Sequence, residues 1–355
     1  MDSRAHEPAS AEPVRLVLSV PPRRRLPLLL LGFASLALGV AGGLVRLGAS
    51  IPAPAGAIAL HGPLLVSGFL GTVIGLERAV ALGRLWAYAA PLASGLGGVC
   101  LLLGLVVPGF ALLAAAAAVL VAASAAVFAR QRSLEMATLL ASAVAWLAGN
   151  LFLFAGQPAV TWWIAFFALT IGGERLELSR YVRRGTAVRY SFALLAAALL
   201  VTPLAPRVMG AVLLLLALWL IAFDLARVTV RQAGLPRYIA ACLLSGYAWL
   251  ALGGALLAAA LAYDAALHAI FVGFVFSMVF GHAPVILPAV LRAALPYHPI
   301  LYAPLIVLHA SLAVRVLVST PSGAWGNAAA IALFIATAAA LVLTRARGEP
   351  SVPGH

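Results

Sequence analysis

Two histidines stand a few residues inside long apolar stretches, His61 in AIALHGPLLVSGFLGTVIGL and His268 in ALHAIFVGFVFSMVFG. An ionisable side chain at membrane depth is expensive to keep there and marks a functional site by default. Two imidazoles at one depth, on helices running the same way, have the geometry to grip a haem iron from both faces. The competing reading is a neutral histidine that hydrogen-bonds a neighbouring helix. Small residues beside the pair, Gly62, Ser67, Gly68, Gly71 and Gly273, would let a flat macrocycle approach the backbone.

A second polar set lies deeper. His282 follows His268 by fourteen residues, about 21 Å along a helix, so it cannot share a site with it. His309, on the returning segment, is expected at roughly the depth of His282. The two suit a metal, a second haem or a proton path, or are separate packing residues. Glu77 and Glu174 are each followed by arginine. They read either as solvated or snorkelling ion pairs, or as carboxylates converging with His282 on a proton relay or metal site. Asn150 reads as an interhelical hydrogen-bonding residue, and Asp224 with Arg227 as a surface pair one turn apart. Trp86, Trp162, Trp163 and Trp325 fall at segment starts, where interfacial tryptophan is expected.

The elements that would hold these residues are membrane spans. Of 355 residues 64% are hydrophobic, and Lys+Arg and Asp+Glu number only 23 and 10. That is too little charge for the surface of a soluble domain, which uses about a quarter of its residues. Apolar runs of about twenty residues, enough to cross a bilayer, recur along the chain. Twelve are expected at 26–48, 57–82, 86–107, 109–129, 134–156, 159–180, 189–206, 208–230, 237–261, 266–290, 300–319 and 325–343, separated by Pro, Gly and Arg clusters. They form a single membrane domain, 26–344, between a tail 1–25 and a tail 345–355. Arg23-Arg24-Arg25 precedes an apolar stretch too long for a signal peptide, so the first span is expected to be retained. Cys100 and Cys242 lie in apolar runs and make neither a disulfide framework nor a metal-ligand spacing.

All the basic residues are arginine, in short loops between apolar segments. That placement speaks for membrane orientation and against nucleic acid. Twelve spans leave Arg46, Arg207 and Arg315 on one side and the other twenty arginines on the opposite side, which puts both termini in the cytoplasm. Spans two and ten then both run inward, and each enters with its histidine about four residues, or about 6 Å, from the outer face.

Spans two, six and ten also resemble one another. Gly75-Leu76-Glu77-Arg78 aligns with Gly172-Gly173-Glu174-Arg175, and the same frame sets His282 at the glutamate position. A repeat every four spans predicts an all-α fold of three pseudo-repeated four-helix units, with spans two, six and ten around a common axis.

Twelve spans in three units, with a histidine on span two and another on span ten, resemble subunit I of the haem–copper oxidases. The resemblance implies a low-spin haem b held by His61 and His268 near the outer face. The copper chemistry of that family is not implied, because YSFALLAAALLVTPLAP on span seven has no histidine and span ten carries His268 alone. Phe280-Gly281-His282 matches a copper-ligating segment only at the wrong span. The chain is also similar to the NnrS family, haem-containing membrane proteins linked to nitric oxide stress. That likeness rests on His61 before Gly68-Phe69 and on His268 before Gly281-His282.

The expectation is an inner-membrane haem protein of bacteria that transfers electrons or responds to a diatomic gas. Membrane lipid surrounds it, and a redox partner or second subunit docks on its short loops. The rival expectation is a transporter or channel for a small solute or metal ion, lined by Glu77, Glu174, His282 and His309.

Overall fold

The computed structural model describes residues 20–178, 185–318 and 320–348, with side chains to residue 345. Arg4, Arg15, His6, Arg180, Arg183, Arg184, the side chain of Arg347 and His355 lie outside the described residues, as do most of the two predicted tails. The long helices are α1 (Pro22–Arg46), α2 (His61–Leu82), α3 (Leu85–Leu102), α4 (Val106–Arg130), α5 (Leu134–Phe154), α6 (Val160–Leu178), α7 (Thr186–Val201), α8 (Pro206–Phe223), α9 (Leu235–Ala258), α10 (Tyr263–Leu291), α11 (Pro299–Leu317) and α12 (Thr320–Gly348). No strand occurs among the described residues. Ten of these helices are long and apolar enough to cross a membrane. The other two are α6, whose last turns carry Glu174, Arg175 and Glu177, and α7, which has 16 residues. Each predicted apolar segment overlaps at least one of these helices.

Two helices depart from regular geometry at matching places. In α2 the backbone widens to a π-helix over Leu64–Leu70, just after His61. In α10 it does so over Ala269–Phe276, just after His268. π segments are rare and cluster at functional sites, because the widened turn re-aims the side chains around it. Helix α6, the third member of the predicted repeat, has no such segment.

Polar groups and small residues hold the helices together, as they must where lipid is as apolar as leucine. Asn150 on α5 behaves as predicted. Its Oδ1 accepts from Ser67 Oγ at 2.9 Å and from Trp163 Nε1 at 3.2 Å, and its Nδ2 donates to the Leu113 carbonyl at 3.1 Å. Trp146 Nε1 donates to Ser67 Oγ at 3.1 Å, which extends the network across α2, α4, α5 and α6. Trp163 is therefore a buried network member, not the interfacial residue predicted, while Trp86 and Trp325 are exposed as expected. Asn150→Ala removes three bonds. At about 0.6 kcal/mol for an average interhelical hydrogen bond in membrane protein, a loss of roughly 2 kcal/mol is expected in reversible unfolding from bicelles.

Close packing appears where α8 meets α9. A Cβ on Gly254 would stand 2.7 Å from the Leu214 amide nitrogen, and one on Gly210 would collide with the Ala258 amide. At the end where α1 begins, Arg25 is buried and donates to the carbonyls of Val20 and Val290 at 2.7 and 2.6 Å. This ties the start of α1 to the last turn of α10.

Candidate functional site

The other end of the bundle gathers His61, His268, Asp264, Arg46 and Arg315 within electrostatic range of His61. The topology predicted from sequence brings α2 and α10 in with their histidines at this end. Asp264 lies in the first turn of α10, one helical turn from His268. Its carbonyl is 2.7 Å from His268 Nδ1, its carboxylate Oδ1 is 3.3 Å from the same nitrogen, and its Oδ2 is 3.2 Å from Arg315 on α11. A carbonyl oxygen can only accept, so Nδ1 carries the proton, which leaves Nε2 as the ring nitrogen open to a ligand. That is how ligating histidines are oriented from behind. His61 Nδ1 is buried with no hydrogen-bond partner.

The small residues predicted to admit a macrocycle mostly do something else. A Cβ on Gly68 would fall 2.8 Å from Ser35 Oγ, and one on Gly71 would fall 2.7 Å from Ser94 Oγ and collide with Trp146. Gly273 is filled by Trp249 and by Leu312, the latter at 2.9 Å, and Ser67 belongs to the Asn150 network. These positions make room for neighbouring helices. Gly62, beside His61, alone faces open space.

Toward the opposite end, α1, α2, α6, α10 and α12 enclose a cavity of about 470 Å³. Glu77, Glu174 and His282 all line it, so the three positions aligned from sequence do converge. Apart from Thr170 the rest of the wall is apolar, with phenylalanines from every helix around it. Phe69 stacks on Phe276 at 6.3 Å, and Phe280 on Phe334 at 4.0 Å. His282 Nδ1 is 2.8 Å from the Met278 carbonyl, so it carries the proton, and its Nε2 is buried without a partner. No ion pair or hydrogen bond holds Glu77 or Glu174 among the described residues.

His309 does not join this set. Its Nδ1 accepts from Trp249 Nε1 at 2.9 Å, and the two rings stack. Trp249 and Leu312 both pack on Gly273, which places His309 between the levels of His268 and His282. The depth estimate from sequence counted residues from the α11 start and could not register the offset between packed helices. Among the described residues no three His, Cys, Asp or Glu side chains gather to hold a metal ion. Of the predicted second site, Glu77, Glu174 and His282 share the cavity wall and His309 stands apart from them.

The predicted surface pair of Asp224 and Arg227 is also replaced. Asp224 is 2% exposed and receives Arg175 from α6 in a two-pronged bond, Nε to Oδ2 at 2.8 Å and a terminal nitrogen to Oδ1 at 3.0 Å. Tyr247 donates to Oδ2 at 2.9 Å and the Ala226 amide to Oδ1 at 2.6 Å. Arg227 turns to the Ala222 carbonyl. Arg175 is thus no snorkelling partner of Glu174. The i,i+3 spacing pointed to the wrong arginine because α6 delivers a cation from 49 positions away.

Neither a curated protein nor a solved structure matches this chain. A family model described as "Domain of unknown function (DUF8744)" matches residues 25–343, nearly the whole helical bundle. The chain accordingly belongs to the DUF8744 family.

Proposed function

We propose that this protein is an integral membrane haem protein, with His61 and His268 as axial ligands, serving electron transfer or a diatomic-gas response. The observation that carries the reading is the meeting of these two histidines at one end of the bundle, on helices that both widen to π geometry directly after them. The residues fit such a group in three respects. His268 is oriented through Nδ1, His61 carries an orphaned buried ring nitrogen, and Arg46 and Arg315 bring positive charge near the imidazoles. Bound haem would supply one-electron chemistry, and anionic propionates would suit the two arginines. Asp264 acts behind His268, holding the ring so that Nε2 faces away from its own helix.

The rest of the reading has the same standing. Twelve spans in three four-helix units are favoured by the cavity where Glu77, Glu174 and His282 converge, and by the shared π segments of α2 and α10. Cytoplasmic termini in a bacterial inner membrane follow from the arginine distribution. The test is direct. Protein purified from membranes under haem-replete expression is expected to show a Soret band and a sharp reduced α-band at a stoichiometry near one. A colourless, haem-free and well-folded preparation overturns the proposal. The transporter reading keeps one specific support, the unpaired polar groups of the cavity, though His309 is not among its lining residues.

A further inference from the structure

The cavity between α1, α2, α6, α10 and α12 has an unusual imbalance of chemistry. Its polar wall offers acceptors only: the carboxylates of Glu77 and Glu174 and the bare Nε2 of His282. Thr170, also in the wall, already donates its hydroxyl to the Phe166 carbonyl at 2.8 Å. No arginine among the described residues lines it. Arg175 is committed to Asp224, and Arg78 is near both glutamates but within ion-pair distance of neither. Two carboxyl groups thus share an apolar cavity with no ion-paired cation among the described residues.

A carboxylate is costly to keep ionised away from water, and a ligand of the opposite sign is the group that stabilises its charged form. A neutral hydroxyl compound would satisfy the lone pairs but leave the charge. An anion, including a haem propionate or a lipid phosphate, would be repelled. The remaining wall matches a cation as well, because Phe33, Phe69, Phe167, Phe276, Phe280 and Phe334 present rings whose faces attract positive charge. The portal is also informative. Three wall residues, Leu343 (58% exposed), Ile335 (40%) and Phe33 (36%), stand on the outer surface of the bundle, on helices that would face lipid. A ligand reaching the cavity this way arrives dissolved in the bilayer. At about 470 Å³ the space is within the usual range for a small-molecule site.

We propose that this cavity is a binding site for a lipophilic organic cation that enters from the membrane, with Glu77 and Glu174 meeting its charge and the phenylalanines enclosing its body. The site is separate from His61 and His268 and stands or falls independently of haem. The experiment uses the full chain in nanodiscs of neutral phosphatidylcholine, with two probes of the same shape and opposite charge, tetraphenylphosphonium and tetraphenylborate. Empty nanodiscs correct for partition into lipid. Saturable binding of tetraphenylphosphonium with no saturable binding of tetraphenylborate is expected. In Glu77→Gln/Glu174→Gln the phosphonium affinity is expected to fall at least tenfold, with thermal stability retained. Equal binding of both ions by the wild-type protein overturns the proposal without recourse to any variant. So does phosphonium binding that is unchanged in the double variant, or saturable binding of a neutral decyl-quinol in place of the cation.

Discussion

Replacing Asp224 with alanine is expected to lower the stability of the protein by about 3–5 kcal/mol, the usual range for breaking a buried ion pair from one side. The side chain is almost fully enclosed and carries four bonds at once, two from Arg175 and one each from Tyr247 and the Ala226 amide. Its removal takes the two-pronged carboxylate away from the Arg175 guanidinium among the helices α6, α8 and α9. Asp224→Asn keeps the shape but removes the negative charge that Arg175 meets, so it should fall between wild type and alanine. Arg175→Leu combined with Asp224→Leu is expected to recover much of the loss, since no charge then remains buried. Thermal unfolding in detergent, run on the three variants side by side, decides the matter. A full loss persisting in the double variant would show that the site is stabilised by shape rather than by charge.

His61→Ala and His268→Ala are each expected to abolish the reduced α-band, because an axial position lost from a low-spin centre changes its spectrum outright. Asp264→Ala should do less. It leaves Nε2 in place and keeps the backbone carbonyl on Nδ1, but removes the carboxylate that sits against the ring and against Arg315. A partial loss of haem, within the 10–100-fold weakening typical of an orienting partner, is the expected result. His309→Ala and His282→Ala serve as controls, since neither residue lies at that end of the bundle. Unchanged spectra in both the His61 and His268 variants would sink the assignment, whatever colour the wild-type protein has.

The contrast between these two sites shows what can be read from a linear chain of this kind. His61 and His268 stood out because they interrupt apolar runs, and counting spans set them at the same end. That end now holds Arg46 and Arg315 as well, two of the three arginines that the count placed on the outer side. The Asp264–His268 contact also had a sequence signal, a carboxylate one helical turn ahead of an imidazole. Nothing in the sequence singled out Asp224. Its neighbour Arg227 satisfied the same local rule, and only the packing of α6 against α8 selects Arg175 instead.

By itself the sequence determined the helical class, the approximate bounds of every long helix, the sharing of one end by two histidines and the meeting of Glu77, Glu174 and His282. Hydrophobic length, proline and glycine breaks and residue periodicity are local quantities, and a bilayer forces them into helices. Tertiary structure decided the partners. It assigned Gly68, Gly71 and Gly273 to helix contacts, paired His309 with Trp249, buried Arg175 on Asp224 and opened the acidic cavity toward α12. Those outcomes depend on how helices rotate and slide against one another, and no spacing along a single helix encodes that.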